Sequence, residues 1–109
     1  MIPSYAKVFN LGHHAIAELL LDPVIVEEKI DGSQFSFGII DGELQCRSRG
    51  QQINIEAPDK LFQLAVDTVK GLADRLTPGY TYRSEYLQKP KHNTLAYDRV
   101  PNGHIIIFD

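Results

Sequence analysis

The sequence holds a single cysteine, Cys46, among its 109 residues. One thiol forms no intrachain disulfide and builds no cysteine-based zinc site, so neither class of small stapled domain applies. A basic excess is also missing: 11 lysines and arginines stand against 14 aspartates and glutamates, a formal charge of −3. A domain that clamped nucleic acid through its phosphates alone would carry the opposite balance. Local pairs such as Lys89 with Lys91, or Arg47 with Arg49, remain able to contact a phosphate, and the charge does not speak against a nucleotide site. No run approaches the ~20 apolar residues of a membrane span. The opening MIPSYAKVFNLGHH lacks the basic-then-apolar order of a secretory signal. The expectation is therefore a cytoplasmic protein with no membrane partner. Repeats, linkers and low-complexity stretches are absent as well.

What is present is an ordinary globular composition, 43% hydrophobic and 23% charged, at a length that suits one domain or a piece of one. His13 to Leu21 reads as a short helix stopped by Asp22-Pro23. Val24 to Ile30 is rich in β-branched residues and reads as a strand ending at Asp31-Gly32. Ser33 to Ile40 alternates, with Phe35, Phe37 and Ile39 on one face. Asp41-Gly42 then gives a two-residue hairpin signal, because both central positions of such a turn need positive φ. Glu43 to Arg49 is the returning strand, with Leu44, Cys46 and Ser48 facing inward.

Leu61, Leu64, Ala65, Thr68, Val69, Leu72 and Leu76 recur at helical spacing, which predicts a helix over Asp59 to Leu76. Tyr80 to Leu87 reads as a strand with Tyr80, Tyr82, Ser84 and Tyr86 on one face and Thr81, Arg83, Glu85 and Leu87 on the other. Lys89 to Asn102 reads as a polar, solvated loop. His104 to Phe108 does not alternate and reads as a strand covered on both faces. The fold class expected is α+β, a mainly antiparallel sheet with two helices. The chain stops directly after its most apolar strand, so residues 1–109 are expected to be part of something longer, or to self-associate through that exposed strand.

The informative segment is Glu28-Lys29-Ile30-Asp31-Gly32-Ser33-Gln34-Phe35-Ser36. A lysine before a tight Asp-Gly turn is set to project into a cleft, although a lone K-x-D-G is more often a surface loop. Its companions are Arg47-Ser48-Arg49-Gly50, then Tyr82-Arg83-Ser84-Glu85-Tyr86-Leu87, then Ile105-Ile106-Ile107-Phe108-Asp109. In this order and spacing they resemble the covalent nucleotidyltransferase superfamily of DNA ligases, RNA ligases and mRNA capping enzymes. The hydroxyl, amide and aromatic after the glycine most resemble the nucleophile motif of RNA ligases. One departure is Ser84, where the family often has glycine before its glutamate.

The resemblance implies the front portion of a ligase-type adenylylation domain with its later motifs missing. It implies an ATP-dependent RNA ligase, as in RNA repair, with Mg2+ or Mn2+ as cofactor. Lys29 would attack the α-phosphate of ATP, release pyrophosphate and pass the AMP to the 5′-phosphate end of RNA or DNA. Arg49 matches the arginine that binds near the ribose, with Arg47 as second choice. Glu85 matches the glutamate that contacts the ribose or supports the metal, and Phe108 the aromatic that stacks on adenine. Glu28, Ile30, Asp31 and Gly32 would surround the nucleotide, the Glu28 backbone at the adenine edge and Asp31-Gly32 shaping the turn. No residue is assigned as a metal ligand.

A free lysine titrates near ~10.4, so such a site must favour the neutral amine. Burial or a nearby cation does so, while Glu28 and Asp31 act oppositely. The bland alternatives are a strand arginine for Arg47, a cross-strand ion pair for Glu85 and a core ring for Phe108. Because phosphoryl transfer depends on electrostatic contacts from the later motifs, the 109 residues alone are expected to be nearly inactive. The rival readings are a non-catalytic nucleotide- or nucleic-acid-binding module with a ligase-like fold, and a DNA ligase. Adjacent histidines point to different faces of a helix, so His13-His14 is not read as a metal site.

Overall fold

A computed structural model describes residues 1–109. Five strands make one antiparallel sheet: β1 (Ser33–Ile40), β2 (Glu43–Ser48), β3 (Gln52–Ile53), β4 (Tyr82–Tyr86) and β5 (Ile105–Ile107), in the order β3-β2-β1-β4-β5. The class is α+β. The β1–β2 hairpin turns at Asp41 and Gly42, with φ of 54° and 79°, the positive pair that the Asp-Gly signal requires. Ile39 lies opposite Leu44, and Phe37 opposite Cys46.

Period-two alternation puts Phe35 and Phe37 on the face that meets the single α-helix, α1 (Gln63–Leu72). Both rings are fully buried with Ala65, Val66, Val69, Cys46, Tyr86 and Ile105 in one cluster. Each such ring is worth roughly 1.5–3 kcal/mol of burial, so this cluster contributes strongly to the domain's stability. 3-10 turns at Lys60–Phe62 and Ala73–Arg75 extend α1 at both ends, so the helical segment fills the range that its periodicity marks. Ser84 lies opposite Phe35 on β1 and is also buried; its hydroxyl donates to the Phe35 carbonyl at 2.7 Å.

The second face of the sheet carries Gln34, Ser36 and Gly38 of β1 with Arg83 and Glu85 of β4, and the N-terminal residues cross it. Ile2 is fully buried there, and its carbonyl accepts from Gln52 Nε2 at 2.7 Å. Arg83 Nη1 donates to the Pro3 carbonyl at 2.8 Å and to Ser36 Oγ at 3.0 Å. The N-terminus is thus anchored by polar side chains of the sheet.

Four expectations are corrected. His13 to Leu21 is not one continuous helix but two separate 3-10 turns, His14–Ile16 and Leu19–Leu21. Nine residues are too few to hold an α-helix without a packed face, and no residue of either turn is buried. Val24 to Ile30 is not a strand: it runs without a neighbouring strand to pair with, and Ile25 and Val26 are almost fully exposed. β-branched composition makes a strand only against a packed neighbour. The strand that was to run to Arg49 ends at Ser48. Finally, β5 is not covered on both faces: it is an edge strand in which only Ile105 is buried, while Ile106 and Ile107 are exposed. No helix is long and apolar enough to cross a membrane.

Candidate functional site

A cleft of about 1120 Å³ opens beside the turn that leads into β1. Its volume is sufficient for a nucleotide-sized ligand, since small-molecule sites run to roughly 300–1,000 Å³. Glu28, Lys29, Ile30, Asp31, Gly32, Arg49, Glu85 and Phe108 all line it. These residues come from four stretches of sequence. The antiparallel register brings them together, because Gln34 of β1 lies opposite Glu85 of β4, and Glu85 opposite Ile106 of β5.

Arg47 stands outside the cleft. Its Nη1 donates to the Ile2 carbonyl at 3.4 Å, and its Nε is buried without a partner. Arg47 and Arg49 do not share a strand face, because β2 stops at Ser48. A turn follows in which the Ser48 N–H donates to the Gln51 carbonyl at 2.9 Å, and this turn carries exposed Arg49 to the cleft.

Lys29 is an exposed side chain on the unpaired stretch before β1, and its charge acts on two carboxylates. Desolvation pushes half-buried Glu85 above its ordinary value, and the Asp31 charge adds to this. The Gly32 backbone and the Lys29 charge act in the opposite sense. Asp31 goes the other way. The Leu95 N–H, helped by the Thr94 N–H, the Asn93 amide and the Lys29 charge, holds its carboxyl below the usual range despite some desolvation. These two carboxylates are therefore tuned apart, Asp31 toward the anion and Glu85 toward the protonated form.

Gly32 is required by close approach. A Cβ at this position would press into the Tyr86 carbonyl oxygen, so only glycine lets the turn pack against β4. Phe108 lies just past β5, where its N–H donates to the Arg83 carbonyl at 2.9 Å. Its ring is partly exposed and meets Tyr5 edge-on, with centroids 5.5 Å apart.

Sequence reasoning missed the N-terminal contribution: Tyr5, Ala6, Lys7 and Val8 also line the cleft. They sit in no regular element, so no periodicity marks them. Gln34, the amide of the nucleophile-like motif, lines it too. Lys7, Lys29 and Arg49 supply its positive charge, against Glu27, Glu28, Asp31 and Glu85.

No group of three or more His, Cys, Asp or Glu side chains is gathered so as to hold a metal ion. The residues present do not form a protein-built cation cage. His13 and His14 stack on each other with centroids 4.4 Å apart, and Phe9 stacks on His13. Their partners are rings and backbone. Comparison with known proteins adds no relative: no family model matches the chain, nor does any curated protein or solved structure.

Proposed function

We propose that this chain is the nucleotide-binding part of an ATP-dependent polynucleotide ligase of the RNA-ligase kind, with Lys29 as its covalent nucleophile. The observation that carries the reading is convergence. A lysine, an arginine, a carboxylate and an aromatic ring, separated by up to 79 positions between Lys29 and Phe108, line one cleft of nucleotide size. Random surface residues chosen by a short motif have no reason to meet.

In this reading the neutral Lys29 Nζ attacks the α-phosphorus of ATP. A P–N bond forms, the Pα–O bond to pyrophosphate breaks with its electron pair leaving on oxygen, and the amine proton passes to solvent. A 5′-phosphate oxygen of RNA or DNA then displaces the lysine, and a 3′-hydroxyl finally displaces AMP. Lys7 and Arg49 offset the charge of the triphosphate. Phe108 offers a face for the base, and Glu85 accepts from ribose hydroxyls. Mg2+ or Mn2+ would enter with the nucleotide. Copies of the chain would pair, where they do, along the exposed edge of β5.

The test is incubation of the full-length protein with α-labelled ATP and either metal, followed by denaturation. Label is expected to stay on the protein and to vanish in Lys29→Ala. Equal labelling of Lys29→Ala would end the reading. ATP binding without any covalent label would instead favour a non-catalytic nucleotide-binding module.

A further inference from the structure

Residues 92–97, between β4 and β5, grip the turn behind Lys29 at each of its three residues. Asp31 Oδ2 accepts the N–H groups of Thr94 and Leu95, both at 2.8 Å. The Asp31 N–H donates to the Tyr97 hydroxyl at 2.9 Å. Asn93 Nδ2 donates to the Gly32 carbonyl at 2.8 Å. Ser33 Oγ lies 2.7 Å from His92 Nε2. The Gln88 N–H donates to His92 Nδ1 at 3.0 Å, so Nδ1 is the acceptor. The neutral ring then carries its proton on Nε2 and donates it to Ser33. The loop is closed on itself by the Tyr97 N–H, which donates to the Pro90 carbonyl at 2.9 Å.

These contacts matter because Lys29 has no strand of its own to hold it. The chain from Pro23 to Asp31 is in no regular element, so the direction of Lys29 depends on what fixes the residues after it. Gly32 is pressed against Tyr86 on one side, and the loop holds Asp31 and Ser33 on the other. Misplacing a reacting group by about 1 Å costs on the order of 100-fold in rate.

We propose that residues 92–97 are the positioning clasp of the Lys29 site, and that His92, as its neutral Nε2–H form, is the member through which acid opens it. The proposal rests on the reading of Lys29 as nucleophile. Protonation would put an N–H on Nδ1 directly opposite the Gln88 N–H, turning an attraction into a repulsion. The groups facing His92 are few. Asp31 across the turn favours the cation, Lys89 of its own loop opposes it, and Ser33 is neutral. The Tyr86 ring of β4 stands edge-on at 5.6 Å, with His104 on that same ring at 6.4 Å. Desolvation is the largest influence and lowers His92 below its ordinary value of 6.5. The neutral ring's contribution is therefore fully present above about pH 6.5 and is lost as pH falls through the lowered value.

Two measurements on the full-length protein test this. The first is independent of activity. Imidazole nitrogen shifts at neutral pH are expected to show Nδ1 bare and Nε2 protonated, with slow hydrogen exchange at Asp31, Thr94 and Leu95. Fast exchange at those amides, or a proton on Nδ1, overturns the clasp. The second is the rate of adenylate formation at saturating ATP. Tyr97→Phe and His92→Ala are expected to lower it about 10- to 100-fold while KM for ATP stays within about threefold. The wild-type rate should show an acid limb at the His92 titration that His92→Gln lacks. Wild-type rates in Tyr97→Phe and His92→Ala overturn the positioning role. Slow exchange with no adduct in the wild type overturns instead the reading of Lys29, and with it the use assigned to the clasp.

Discussion

Tyr5 stands edge-on to Phe108, their ring planes perpendicular and their centroids 5.5 Å apart, and the Tyr5 hydroxyl donates to Asp109 Oδ2 at 3.1 Å. Residues from opposite ends of the chain thus build one aromatic corner of the cleft. A base stacking on Phe108 must use the face that Tyr5 leaves free. Phe108→Ala is expected to weaken ATP binding by ~1–3 kcal/mol, the usual worth of a base-aromatic stack. Tyr5→Ala is expected to weaken it by only about 0.5–1.5 kcal/mol, through a less fixed ring. Calorimetry decides both, and tighter binding by Tyr5→Ala would mean that Tyr5 obstructs the site.

Glu85 is expected to trade stability for function. Desolvation raises its folded value above the ordinary 4.5, so the folded state favours the protonated carboxyl. Its stabilising contribution is complete below about pH 4.5 and is lost as pH rises through the folded value. Glu85→Gln should therefore melt higher than the wild type at pH 7, with the gap closing toward pH 4. The same variant should bind ATP more weakly. A lower melting temperature at pH 7 would contradict the assignment of desolvation as the leading cause.

Cys46 is expected to be chemically silent. It is buried between the sheet and α1, and that burial pushes its thiol up to about 12, against a small opposing effect of Lys70. Thiolate is the reactive form, so an aromatic disulfide reagent at pH 8 should leave the native protein unlabelled and titrate one thiol in denaturant. Rapid native labelling would mean that the core opens readily.

Gly32→Ala is expected to cost ~1–3 kcal/mol, the range for forcing an extra methyl group into a packed site. The added Cβ meets the Tyr86 backbone carbonyl, which cannot move without disturbing β4. Urea unfolding measures the loss. Gly50→Ala is the control, because a Cβ there meets nothing within 4 Å.

The legible parts of this fold were those whose cause is local. Alternation in Ser33 to Ile40, positive φ at Asp41-Gly42 and the 3.6-residue period around Val66 and Val69 all act within a few residues, and the strands and helix formed there. The illegible parts depended on partners far along the chain. Val24 to Ile30 has strand composition but no neighbour to pair with, and β3 is only two residues long, too short to alternate. Residues 92–97 look like solvated loop because their hydrogen bonds go to Asp31, Gly32 and Ser33, about 60 positions earlier. The same holds at the cleft. The stretch around Lys29, Glu85 and Phe108 could be picked out by motif, whereas Arg47 was drawn to Ile2 and the N-terminal lining had no pattern to announce it.

The most direct measurement is peptide mass spectrometry of the full-length protein after reaction with ATP and Mg2+ or Mn2+. One AMP is expected on the peptide that contains Lys29, lost on mild acid treatment as a phosphoramidate should be, and absent from Lys29→Ala. An AMP found on any other residue, or unchanged modification of Lys29→Ala, would contradict the account.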